Sequence, residues 1–305
     1  MSHGRKNRGQ IHGLLAIIAL TLTTTLCFIP ILFIGILKLL PNIRWQARCT
    51  QWVDVIASAW TSANNVYIDR TQQIKWEISG LESLSRKNWY LIIANHQSWL
   101  DIVILQRLFN RKIPTLKFFI KDQLKWVPLL GFSWWAMGCP FMKRYSKDYL
   151  AKNPHKKGKD LQATRKAIRL FQHTPAAVIN FVEGTRYSPQ KNRHQKSPYQ
   201  HLLKPKAGGI SFVISAMGEQ FTSLLDVTII YSNKHHSLWD FLCKRVEKIQ
   251  VHIRQLPIPN QFTNSALIDD EQTQSEFRDW LNSNWLEKDK LIASTISQGK
   301  RELTS

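Results

Sequence analysis

Residues 90–101 read YLIIANHQSWLD. The run Tyr90 to Ala94 has the length and composition of a buried strand, and the residues after it open a helix. His96 and Asp101 therefore emerge where a buried strand turns. In α/β sheets, ligands bind beyond the carboxyl ends of strands, which makes this a suitable place for a general base.

Spacing alone does not carry that reading. His155 with Asp160 and His235 with Asp240 show the same H-x4-D interval, but neither pair follows an apolar strand, and the first lies within the lysine-rich HKKGKD. Along a continuous helix the two side chains of such a pair would point about 140° apart. With His96 in the turn and Asp101 in the first helical turn, the carboxylate reaches back to one ring nitrogen. It then fixes the tautomer and favours the imidazolium formed when the other nitrogen takes a proton. Ser98 and Asp101 also have the S-x-x-D shape of a capping box. Capping and catalysis both remain open at this point, and they are compatible.

Working outward, strand patterns fall at 74–78 (IKWEI), 89–94, 116–120 (LKFFI), 176–182 (AAVINFV), 224–231 (LLDVTIIY) and 248–256 (KIQVHIRQL). Helical patterns fall at 99–110, in a short aromatic stretch through Trp134 and Trp135, and at 160–173, 208–218 and 270–292. Strands alternating with helices predict an α/β fold: a mainly parallel or mixed sheet flanked by helices. At 305 residues the chain has room for a substantial core. No internal repeat or linker divides residues 71–305, which read as one domain.

Residues 1–70 differ. Positions 11–37 are a run of 27 residues without Asp, Glu, Lys or Arg, which reads as membrane-embedded. One straight helix of that length spans about 40 Å, against a hydrocarbon core of about 30 Å. Either it tilts, or Pro30 allows a kink or re-entrant hairpin; basic residues on both flanks favour the hairpin. The run exceeds a signal-peptide core and no A-x-A site follows. Trp45, Cys49, Trp52, Ile56 and Trp60 then recur at helical spacing, as an interfacial amphipathic helix or as core packing. The four cysteines show neither metal-ligand nor disulfide-framework spacing.

The net charge of +21 is unevenly placed. Residues 143–159 hold seven basic side chains and one acid, and 186–206 hold six and none, together over half the excess. The second stretch begins at FVEGTR (181–186), where Glu183, Gly184, Thr185 and Arg186 leave a strand. Gly184 allows close backbone approach to a ligand, and Arg186 offers a bidentate fork for phosphate or carboxylate. A local ion pair with Glu183 is the plainer reading. Zinc-finger and RNA-recognition patterns are absent, as is a G-x-S-x-G nucleophile elbow.

Taken together, the motifs resemble the glycerolipid acyltransferase family. NHQSWLD is similar to its N-H-x4-D block, and GCPFMKR (138–144) to its G-x-x-F-x-x-R block. FVEGTR is similar to its F-P-E-G-T-R block, with Val182 in place of proline. LLDVTIIY stands where a fourth, proline-containing block is expected and contributes no site residue. KFFIK, FMKRY, GKD and WLNSNWLEKD resemble the bacterial YihG-like branch of 1-acylglycerol-3-phosphate acyltransferases, a branch similar to lysocardiolipin acyltransferases.

The resemblance implies His96 and Asp101 as the catalytic pair. It implies Arg144, Glu183, Gly184, Thr185 and Arg186 as acceptor-binding residues, with Glu183 either orienting Arg186 or contacting the acceptor. It implies direct acyl transfer from acyl-coenzyme A, or an acyl carrier protein thioester, to a lysophospholipid. Neither metal nor other cofactor is implied, and the expected location is the bacterial inner membrane, active site on the cytoplasmic face. Two other readings fit parts of the sequence. A basic membrane-tethered nucleic-acid- or lipid-binding protein explains the charge but leaves His96 without a task; a histidine-dependent thioesterase would release free fatty acid.

Overall fold

The computed structural model describes residues 2–142, 174–232, 236–263, 267 and 270–302. Two long helices, α1 (Ser2–Leu37) and α2 (Ile43–Thr71), precede strands β1 (Lys75–Ser79) and β2 (Tyr90–Ala94). Helix α3 (Leu100–Phe109), β3 (Leu116–Phe118), β4 (Ile120–Lys121), α4 (Leu130–Ala136) and β5 (Phe141–Met142) follow. After the undescribed segment come β6 (Ala177–Asn180), α5 (Pro189–His194), α6 (Ala207–Met217) and β7 (Ser223–Tyr231). The chain closes with α7 (Leu238–Leu242), β8 (Lys248–Leu256) and α8 (Glu271–Glu302).

The main sheet has the order β1-β8-β7-β2-β6-β3. Strands β7, β2, β6 and β3 run parallel, while β8 lies antiparallel to β7 and carries β1 parallel to itself. The expected α/β sheet is therefore present in its mixed form. LKFFI does not form the single strand its composition predicts. The chain leaves the main sheet after Phe118, and Ile120 pairs with Phe141 in a separate two-stranded ribbon. The helix expected at 160–173 lies outside the described residues.

Period-two alternation sorts the central strands between two cores. Tyr90, Ile92 and Ala94 of β2, with Leu225, Val227, Ile229 and Tyr231 of β7, pack with Leu100, Ile104 and Leu108 of α3. Leu91 and Ile93, with Leu224 and Ile230, pack with Ile210 and Val213 of α6 and with Phe277, Leu281 and Trp285 of α8. Burial on both faces explains the unbroken apolar run of β2. Each such aliphatic side chain contributes about 1.5–3 kcal/mol.

Pro30 sits inside α1 without ending it, so the reversal expected there occurs instead at residues 38–42, where the Asn42 side chain caps α2 by accepting from the Arg44 and Trp45 amides. The tryptophan stripe of α2 is mostly packed. Cys49 is buried, Trp45 donates to Leu37 O, Trp60 donates to Thr24, and Trp52 is exposed.

Helix α1 also docks on the sheet-bearing part of the chain at both ends. Near its start, His12 bonds Leu242 O at 2.9 Å, and a Cβ on Gly13 would lie 2.8 Å from the Cys243 sulfur. Near its end, Gly35 admits the Phe132 ring of α4, and Lys38 donates to Ala136 O at 2.8 Å. Gly13 and Gly35 are about 33 Å apart along the helix, so the domain flanks nearly its whole length. On its outer side Leu15, Ile18, Leu22, Leu26, Ile29, Phe33 and Ile36 are exposed. Helix α1 is long and apolar enough to cross a membrane.

Candidate active site

Three adjacent parallel strands, β7, β2 and β6, end side by side, and the site lies past their carboxyl ends. Where β2 stops, the buried side chain of Asn95 continues its pairing: the amide donates to Ile229 O at 2.9 Å and its oxygen accepts from Ile229 N at 2.8 Å. Ordering Asn95 in this way leaves His96 as the first residue free of the ladder.

The His96 ring is held on two sides. Its Nδ1 lies 2.8 Å from Asp101 Oδ2, and its plane stacks on Phe181 with centroids 4.0 Å apart. An ionised Asp101 requires the proton on Nδ1, which leaves Nε2 with the lone pair. The His96 side chain is 14% exposed, so a substrate can reach it, whereas Asp101 is fully buried.

Among the described residues, Asp101 receives four donors. Its Oδ2 accepts from His96 Nδ1 and from the backbone amides of Gln97 at 2.6 Å and Ser98 at 2.8 Å. Its Oδ1 accepts from the Tyr231 hydroxyl at 2.5 Å. Ser98 Oγ meanwhile accepts from Leu100 N at 3.1 Å. The S-x-x-D unit therefore caps α3 and binds the histidine at once. Of the competing histidine–aspartate spacings, His155, Asp160 and His235 lie outside the described residues. Asp240 lies in the first turn of α7, where its backbone amide donates to the capping Ser237 Oγ, and its carboxylate pairs with Arg245.

FVEGTR follows β6. Val182 is buried, and the turn forms without the family's proline: Gly184 adopts φ +70° and donates to Phe181 O at 2.9 Å. That left-handed conformation favours glycine. Glu183 faces neither solvent nor Arg186. One of its oxygens accepts from the His96 backbone amide at 2.9 Å and the other from Leu203 N at 3.0 Å. Burial pushes its carboxyl up to about 7 against the pull of those two amides. The Arg186 guanidinium is exposed and lies over the Trp99 ring at 5.4 Å. Thr185 Oγ1 accepts from Lys191 Nζ at 2.8 Å, and the same ammonium donates to Arg186 O. Thus His96, Asp101, Glu183, Gly184, Thr185 and Arg186 converge, while Arg144 lies outside the described residues.

Tyr231 and Asn95 are site residues that the sequence reading missed. Tyr231 closes LLDVTIIY, a block set aside for lacking proline, and alternation along β7 alone assigns it the α3 face of the sheet. The arrangement provides an oriented base beside an exposed cation, suited to deprotonating a hydroxyl on an anionic substrate.

A family model described as Acyltransferase matches residues 75–232, just over half the chain, and spans every described site residue. The chain belongs to the acyltransferase family. The mouse 1-acyl-sn-glycerol-3-phosphate acyltransferase epsilon is 25% identical over 227 residues, covering 66% of this acyltransferase and 56% of the relative. The mouse lysocardiolipin acyltransferase 1 is 23% identical over 296 residues, covering 90% and 68%. The chain thus spans little more than half the length of the first of these relatives. Among solved structures, the 1-acyl-sn-glycerophosphate acyltransferase PlsC from Thermotoga maritima shares the fold: TM-score 0.54, 14% identity, coverage 93% of this chain and 98% of that one.

Proposed function

We propose that this acyltransferase moves an acyl group from a thioester to the free hydroxyl of 1-acylglycerol-3-phosphate, giving phosphatidic acid. The observation that carries the reading is the His96–Asp101 pair, oriented at the end of β2 and set beside the Arg186 fork. His96 Nε2 takes the hydroxyl proton as the oxygen attacks the thioester carbonyl; the C–O bond forms and the C–S bond breaks. The imidazolium, stabilised by Asp101, then returns that proton to the departing thiolate. A thiol of pKa near 8.5 is already an adequate leaving group, so direct transfer needs no enzyme nucleophile, and Ser98 Oγ is engaged as a cap.

Arg186, with Arg144 by family resemblance, binds the acceptor phosphate; Gly184 and Thr185 shape the turn that presents it. Glu183 serves the site by holding the His96 backbone. The donor is acyl-coenzyme A or acyl carrier protein, whose phosphates the basic stretches attract. The apolar outer stripe of α1 is covered by lipid. Because the domain flanks α1, we place this helix within one leaflet, on the cytoplasmic face of a bacterial inner membrane, in an enzyme of the YihG-like branch. A second acceptor, lysocardiolipin, is favoured by the match that covers 90% of the chain.

The test is labelled-acyl transfer on membranes with acceptors differing in head group, and His96→Ala as control. We expect esterified phosphatidic acid from the wild type and none from the variant. Retained transfer by His96→Ala would sink the general-base assignment, and free fatty acid without ester would identify a thioesterase.

A further inference from the structure

Asp101 is bonded unequally on its two oxygens. Oδ2 serves His96 and two backbone amides, while Oδ1 accepts from Tyr231. The tyrosine is itself fixed. It is the last residue of β7, two positions beyond Ile229, whose backbone is clamped by the Asn95 side chain. Its ring stacks on His236 with centroids 5.2 Å apart. A phenylalanine would fill the same apolar space, so packing does not account for a hydroxyl aimed at a carboxylate.

We propose that Tyr231 is a positioning residue for the acyl transfer: by drawing charge toward Asp101 Oδ1, it sets how much negative charge His96 experiences through Oδ2. The inference rests on the base role proposed for His96. A hydrogen bond to an ionised acceptor is stronger than one between neutral groups, and it competes with the imidazole for the same carboxylate charge. Tyr231 therefore keeps His96 a weaker, more readily deprotonated base. The price is a smaller driving force for taking the substrate proton. The buried phenol is also hard to ionise, since burial and then the Asp101 charge push it well above its ordinary value, so it remains a donor throughout the working range.

Other titratable groups bear on the same place. Glu183 holds the His96 amide from the β6 turn, and Lys288 of α8 acts on Glu183 from behind. Arg186 lies over Trp99, and His236 covers the tyrosine ring. Tyr231→Phe leaves all of these in place.

The experiment is the pH dependence of kcat/KM for acyl transfer by the full-length enzyme in membranes. With Tyr231→Phe, the acid limb should move toward higher pH by up to about one unit, because Asp101 stays ionised in both states of His96 and only the change in strength of the lost hydrogen bond between them counts. With 3-fluorotyrosine placed at 231, a more acidic and stronger donor, the limb should move the other way. A purely structural tyrosine lowers activity without moving the limb. His236 stacks on the Tyr231 ring, so both shifts must persist in a His236→Phe background. If Tyr231→Phe does not fold, the fluorotyrosine enzyme decides alone. An unmoved limb with His96→Ala inactive overturns this inference only; an active His96→Ala overturns the base role beneath it.

Discussion

Two fully buried aspartates, Asp101 and Asp226, sit on opposite faces of the same sheet and are neutralised in opposite ways. Asp226 points from β7 into the α6–α8 side, where Lys288 Nζ lies 2.6 Å from one oxygen and Arg254 donates to the other at 2.6 Å. Lys288 is itself fully buried, which pushes its ammonium down against the opposing pull of Asp226. Asp101 faces the α3 side, and its contacts are two backbone amides, a phenol and a histidine. Two basic side chains make a static clamp; neutral donors and one imidazole leave room for a charge that comes and goes. Period-two alternation along β7 separates them, sending Tyr231 to one and Asp226 to the other.

Isosteric substitutions break the comparison most directly. Asp101→Asn should lower kcat by about 10²–10⁴-fold while membrane-bound protein persists, as read by acyl transfer and thermal inactivation on one preparation. Stability loss with unchanged turnover would make Asp101 only a cap. Asp226→Asn should do the reverse. Leaving a buried lysine without its partner costs about 3–5 kcal/mol, visible as a lower unfolding midpoint, with turnover per folded molecule within about threefold of wild type.

Glu183 is a third buried acid, which among the described residues accepts from two backbone amides, and it sharpens the contrast through pH. Its carboxyl rises from 4.5 to about 7 on folding. Between those values the unfolded chain has released the proton that the folded chain still holds, so stability falls as pH climbs through the window and is flat on either side. Glu183→Gln should reduce the midpoint difference between pH 5 and pH 8 by the equivalent of about 3 kcal/mol. An equal difference in both proteins would show that Glu183 folds already ionised.

The contacts that sequence reveals are those made by near neighbours. His96, Ser98 and Asp101 lie within six residues, so one strand-to-helix turn sufficed to read both the cap and the pair. Glu183 to His96, Tyr231 to Asp101 and Asn95 to Ile229 join residues 87, 130 and 134 apart, and local pattern is silent about such pairings. The same limit explains the mistaken Glu183–Arg186 alternative, in which proximity in sequence suggested a partnership that the turn at Gly184 prevents. The division of LKFFI was equally hidden, because what separates Phe118 from Ile120 is their choice of distant partners, Ile179 and Phe141.

The two-point docking of α1 removes any tether between the apolar helix and the sheet. If α1 lies in one leaflet, as proposed above, the height of His96 above the hydrocarbon is fixed, and lipid substrates must climb to it. Lifting a lipid costs about 0.8 kcal/mol per methylene withdrawn from the hydrocarbon, so a single-chain acceptor rises far more readily than its two-chain product. A rigid mount of this kind works as a depth gauge: acylation roughly doubles the restoring force on the lipid and sends the product back into the bilayer.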